Sequence, residues 1–145
     1  MTLHHRIGRL AAACSLLILG GCALPTYVPQ QGETLTTAKL YGFGKPFMCK
    51  DGKSYQLEVG KGADGGDVVQ LPVDKRVAIW RHLSEQGYQV ITSCNPTLSL
   101  VPRQGVTLAI HSGLAKQGCF IEAVREDASA ASGVAFETSV GRPAC

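Results

Sequence analysis

The chain has 145 residues, a net charge of +3 and 45% hydrophobic content, with six cysteines and a single tryptophan. It contains no run of basic residues, and Arg6 and Arg9 near the amino end supply two of its fourteen basic charges. The electrostatic footprint of a nucleic-acid binder is therefore missing, and the length suits one domain.

Met1–Arg9 carries Arg6 and Arg9, flanked by His4 and His5, and no acid. Leu10–Leu19 is apolar or small apart from Ser15, and Gly20, Gly21 and Cys22 follow. A basic start, a short apolar segment and small residues at its exit make a secretory signal. The apolar run falls short of the roughly 20 residues that a spanning helix needs. Cys14, inside it, reads as a small apolar filler. The stretch Leu19-Gly20-Gly21-Cys22 resembles the lipobox of bacterial lipoproteins. That resemblance implies a signal peptide over residues 1–21, lipidation of the Cys22 thiol with diacylglycerol, and a third acyl chain on its exposed amine. Two or more chains hold a protein firmly, at ~0.8 kcal/mol per buried methylene. Ala23 follows the cysteine where an aspartate would retain such a protein at the inner membrane. The implied destination is the outer membrane, with the domain in the periplasm or at the cell surface.

Residues 22–37 read as the lipidated cysteine and a flexible tether. Ala23–Thr37 has two prolines, two glutamines and four threonines without an amphipathic period, and would reach ~50 Å if fully extended. Residues 38–145 form the single globular domain. Its cysteines, Cys49, Cys94, Cys119 and Cys145, are even in number, which in an exported chain implies two disulfides. Their spacings of 45, 25 and 26 residues lack the close pairs of zinc sites. Three pairings are open, and each bridge would add ~2–4 kcal/mol.

Along the domain, Asp51-Gly52 separates two apolar stretches and predicts a hairpin, because that dipeptide accepts positive φ. Phe47 and Cys49 share one face of the first arm; Tyr55, Leu57 and Val59 alternate with Gln56 and Glu58 on the second. Gly60–Asp67 reads as a glycine-rich turn, whose Asp64 and Asp67 lack the spacing of an EF-hand calcium loop. Val68–Leu71 is a strand ended by Pro72. Asp74 then reads as the N-cap of a helix over about 74–86, with Val77, Trp80 and Leu83 on one stripe and Gly87 as its stop. Trp80 is expected as a core anchor. Short strands return after Tyr88: "YQVITSC", an Asn95-Pro96 turn, "TLSLV", "VTLAIHS" with Val106, Leu108 and Ile110 facing one way, "CFIEAVRE" and "VAFETSV". The expected fold is α+β or mainly β, a small antiparallel sheet or barrel with one helix, stapled by two disulfides.

Catalytic chemistry finds little to work with. Of the two histidines beyond the signal, His82 falls on the polar side of the expected helix. His111 adjoins Ser112, but neighbours on a strand point to opposite faces, which suits neither base nor nucleophile. There is no G-x-S-x-G elbow and no phosphate-cradling glycine loop between strand and helix. No cofactor or metal is implied, and the chain is read as a non-enzyme.

Phe47–Val59, "FMCKDGKSYQLEV", resembles the opening of the membrane-bound c-type lysozyme inhibitor family, small β-barrel lipoproteins. Ser129–Phe136, "SAASGVAF", resembles that family's Ser-Gly-x-x-aromatic loop, whose serine approaches the catalytic carboxylates of the enzyme. The resemblance implies a binding loop of Ser129, Ser132 and Gly133, with Ser132 in that role. It also implies a Cys49–Cys145 bridge, leaving Cys94 for Cys119. The family's second signature, an aromatic pair with lysine and glycine, has no counterpart after Phe136. The expected function is a non-catalytic envelope binding module whose partners are the membrane and a protein such as a lysozyme. The alternative is a structural accessory subunit of an envelope or secretion assembly.

Overall fold

The computed structural model describes residues 23–145 except Val90, Gln117 and Ala144. The expected signal peptide, residues 1–21, and the expected lipidation site, Cys22, lie outside the described residues. Among those described, every regular element is a strand, and two sheets share one core. The first sheet is built around β1 (Leu35–Tyr41), which pairs antiparallel with β5 (Asp67–Pro72) and parallel with β9 (Leu108–Ala115). β10 (Gly118–Glu126) and β11 (Val134–Phe136) extend it on one side and β4 (Gly60–Lys61) on the other. The second sheet centres on β6 (Val77–Gln86), flanked by the hairpin of β2 (Lys45–Lys50) and β3 (Lys53–Gln56). The other edge of β6 pairs first with β8 (Thr97–Leu100) and then with β7 (Ile91–Cys94), the break falling at Asn95-Pro96.

Alternation assigns the core. Ala38, Leu40, Val69, Leu71, Leu108 and Ile110 of the first sheet meet Met48, Val77, Ile79, Leu98 and Leu100 of the second. Each large aliphatic among them contributes about 1.5–3 kcal/mol on burial. Asp51 and Gly52 take φ of 53° and 74° at the β2–β3 turn, as the hairpin dipeptide predicts.

The expected helix over about 74–86 is instead the longest strand, β6. Val77, Ile79, Arg81 and Leu83 are its inward set. Arg81, where an apolar residue would be read, breaks the visible alternation and leaves a helix-like spacing behind. Val77, Ile79 and Trp80 are themselves strand formers. Asp74 is no cap: it sits in the β5–β6 connection with φ 59°, and its N–H donates to the Pro102 carbonyl at 2.8 Å. Gly87 lies in the β6–β7 connection. Trp80 is half-buried on the outer face, stacked on Phe47 with ring centroids 5.4 Å apart, and does not anchor the core.

The expected tether is docked along most of its length. The Gln56 N–H donates to Pro25 O, and the Tyr27 N–H donates to Gln56 O, both at 2.9 Å. Thr26 thereby bridges Gln56 in parallel sense. Tyr27 is in the core, and Thr36 belongs to a central strand. A polar cluster fastens this segment. The Tyr27 hydroxyl donates to Glu33 Oε2 at 2.6 Å, Lys50 Nζ pairs with Glu33 Oε1, and the Gln30 N–H donates at 3.1 Å. Burial alone would raise the Glu33 carboxyl, but the donors Lys50, Tyr27 and Gln30 outweigh it and hold the pKa at about 2. The same burial, with the Glu33 charge, pushes the Tyr27 hydroxyl well above its ordinary 10.0.

Cys49 is paired with Cys145 and Cys94 with Cys119, with Cα atoms 6.1 Å and 6.4 Å apart. This is the pairing implied by the inhibitor resemblance. The first bridge closes a C-terminal strap over the second sheet. Gly141 bridges Ser99, whose hydroxyl donates to Arg142 O at 2.6 Å, and Arg76 Nη1 donates to Ser99 Oγ and Ser139 O at 3.1 Å each.

The strand directions define two ends. At one lie the β2–β3 turn, the β5–β6 connection, the β8–β9 connection and the β10–β11 loop; at the other lie the β1–β2, β6–β7 and β9–β10 connections.

Candidate binding surface

The first sheet's inner face is committed to the core, while its outer face stays open. There, Glu122, His111 and Tyr41 stand in one cross-strand row on β10, β9 and β1, and Phe120 faces Gly113 in the next. Tyr41 and His111 stack with centroids 4.6 Å apart and planes 10° from parallel. Phe120 lies across Gly113, where an added Cβ would come within 3.0 Å of its ring; the glycine lets the aromatic lie flat on the backbone. Phe136 pairs in register with Val124 at the sheet edge. Tyr41, Phe43, Phe120 and Phe136 are 44%, 45%, 43% and 87% exposed. Tyr41, Phe120 and Phe136 thus expose three aromatics on one sheet face, with Phe43 on the adjoining connection, where a single exposed aromatic would be ordinary.

The β1–β2 connection presents Phe43 by being pulled tight. Gly42 and Gly44 take φ of 94° and 95°, and a Cβ on Gly42 would lie 1.9 Å from the Ser112 carbonyl oxygen. Beneath them, Arg81 donates from Nε and Nη2 to Gly44 O at 3.2 Å and 2.6 Å, and from Nη1 to Tyr41 O at 3.3 Å. Burial pushes this guanidinium below its ordinary value, opposed by the charge of Asp67. The sequence marks these residues only as "YGFG"; the significance of Phe120 and Phe136 is hidden because the surrounding strands carry apolar residues on both faces.

Charges rim the surface. Lys39 pairs with Glu126 at 2.7 Å and Asp64 at 3.5 Å. The hydrogen bond that Lys39 donates to Glu126 raises the Lys39 pKa, and the Gly66 N–H, with Lys39, lowers that of Asp64. Asp67 pairs instead with Lys61 at 2.5 Å, so each aspartate of the glycine-rich turn has its own lysine.

Ser129, Ser132 and Gly133 all fall in the exposed β10–β11 loop. Asp127 organises it: Oδ1 accepts from the Ser129 N–H at 3.0 Å and from its hydroxyl at 2.5 Å. Those bonds, the hydroxyl first, lower the Asp127 pKa. The Ser132 hydroxyl donates to Val134 O at 2.9 Å, and Gly133 takes φ 74°. Both serine hydroxyls thus serve the loop itself.

His111 and Ser112 face opposite sides of β9: the imidazole lies outside on Tyr41, and the buried hydroxyl donates to Tyr41 O at 3.4 Å. His82 Nδ1 is 2.9 Å from Asn95 Oδ1. An apolar groove of about 270 Å³ lies where the amino-terminal segment crosses the β4–β5 edge, lined by Tyr27, Leu35, Leu57, Val68 and Val69 among others. Comparison with protein-family models, curated proteins and solved structures found no match to this chain.

Proposed function

We propose that this chain is an outer-membrane-anchored lipoprotein whose β domain is a non-catalytic binding module of the cell envelope. The observation that carries the binding reading is the open aromatic face of Tyr41, Phe43, Phe120 and Phe136 beside a core that is already closed. Rigid aromatics offer large contact area at low entropic cost, and the partner that suits them is a protein or polymer with an apolar surface. The Leu19–Cys22 stretch supports the anchor, and two cysteine pairs suit an oxidising space. The separation of His111 from Ser112 by the thickness of the sheet speaks against hydrolysis by that pair.

Lysozyme inhibition is the narrower form of this reading. It requires the Ser132 hydroxyl to exchange its bond to Val134 O for one to the enzyme. An accessory role in an envelope or secretion assembly would use the same aromatic face.

The test is photo-crosslinking in the native envelope from residue 120 or 136, with mass-spectrometric identification of the attached species. A discrete partner from both positions and none from position 61, across the sheet, is the expected result. Equal, diffuse labelling from all three would overturn the binding reading. Inhibition of a c-type lysozyme that Ser132→Ala abolishes would select the narrower form.

A further inference from the structure

The order of residues at the amino end decides how the domain meets the membrane. Pro25 is hydrogen-bonded to the edge of β3, and only Ala23 and Leu24 separate it from Cys22. Three residue steps span at most about 11 Å. β6 alone, at ten residues, is about 33 Å long, so an acyl anchor on Cys22 leaves the head less than half its own length of play. Direction follows from register. Thr26 bridges Gln56 in parallel sense, so the chain upstream of Thr26 runs back beside β3 toward Lys53 and the Asp51-Gly52 turn. The Glu33–Lys50 pair lies at this same end and ties the docked segment to it.

We infer that the domain is seated directly on the bilayer by the end carrying the β2–β3 turn, the β5–β6 connection and the β8–β9 connection, and is not held off it on a stalk. This rests on acylation of Cys22, as proposed above. The occupant of that end is the lipid surface to which Cys22 is fastened. Two consequences follow from the topology. The β10–β11 loop with Ser129, Ser132 and Gly133 lies at the bilayer end, because Glu126 pairs with Val134 beside the start of β9. Tyr41, Phe43 and Phe120 lie at the opposite end, where β1 finishes and β10 begins. Tyr41, Phe43 and Phe120 are thereby aimed away from the lipid and toward a partner, Phe136 lies between the two ends on β11, and the serine loop faces the lipid end.

Lysine footprinting of the full lipidated chain in phosphatidylethanolamine–phosphatidylglycerol vesicles tests this. Lys53 and Lys75 are exposed at the bilayer end, Lys45 and Lys116 at the other. The mass of the amino-terminal peptide is read first; a Cys22 without acyl chains overturns the inference together with the reading beneath it. With acylation present, amine labelling of Lys53 and Lys75 is expected to fall severalfold relative to the same protein in detergent, while Lys45 and Lys116 keep their rates. A Gly-Ser insertion of about twelve residues after Leu24, adding roughly 20 Å of flexible chain, should restore both. Uniform labelling of all four lysines on an acylated protein, or protection of Lys45 and Lys116 instead, overturns the seating and leaves the anchor standing.

Discussion

Arg81 reaches one carbonyl oxygen twice: Nε lies 3.2 Å and Nη2 2.6 Å from Gly44 O. Arg81 is 3% exposed and its guanidinium is met by backbone carbonyls, not a carboxylate, so the second sheet holds the β1–β2 connection through a buried cation. Arg81→Met keeps much of the stem and removes the fork, leaving the Gly44 and Tyr41 carbonyls without these donors. The expected cost is about 2–3 kcal/mol, read as a lower urea midpoint. Arg81→Lys should recover only part of it, because an ammonium lacks the planar fork. A midpoint within error of the parent for Arg81→Met would refute this account of the connection.

The Glu33 cluster gives an acid dependence with a definite sign. The folded pKa, about 2, lies below the ordinary 4.5, so the unfolded chain takes up the proton first. The contribution is complete above pH 4.5 and is lost as pH falls toward 2. Glu33→Gln should lower stability at pH 6 and flatten its decline between those limits, measured by urea denaturation at stepped pH. Parallel declines in parent and variant would exclude the mechanism. Tyr27 acts at the alkaline side: its raised pKa means that its share is present below pH 10 and lost above it.

The two bridges should not be equivalent. Cys49–Cys145 encloses a sequence separation of 96 residues and Cys94–Cys119 one of 25. Loop-closure entropy alone assigns them about 4.7 and 3.5 kcal/mol. Replacing both cysteines of the longer loop by serine should therefore destabilise by about 1 kcal/mol more than the same change in the shorter. The reverse order in denaturant midpoints would show that the strap over Ser99 survives without its bridge.

Phe136, 87% exposed, touches little that folding needs. Phe136→Ser should change stability by less than about 0.5 kcal/mol while weakening crosslinking to the partner. Gly113→Val acts from below: it displaces the Phe120 ring that lies within 3.0 Å of the added carbon. Loss of crosslinking in both variants, with circular dichroism unchanged, is the expected pattern; unaltered crosslinking in both would exclude this face.

Much of the strand pattern is legible because it is local. Asp51-Gly52 announces its hairpin, Leu108 and Ile110 announce an inward face, and His111 and Ser112 separate as strand neighbours must. The misread segments depend on distant partners. Arg81 belongs inside β6 only because the Tyr41 and Gly44 carbonyls, some forty residues earlier, wait for it. Tyr27 looks like part of a loose leader until Gln56, Glu33 and Lys50 surround it. Of the candidate site, the serine loop was visible as a short motif. The aromatic face was not, since it exists only when β1, β9 and β10 lie side by side.

The parallel pairing of β1 with β9 has a consequence for how the molecule comes into being. β1 stands in the middle of its sheet, yet Ala38 meets Leu108 seventy residues downstream. A chain emerging from its amino end carries a central strand with one edge bare until most of the polypeptide has followed. Such non-local closure slows folding, and the open edge is the feature most inviting to a chaperone during that interval.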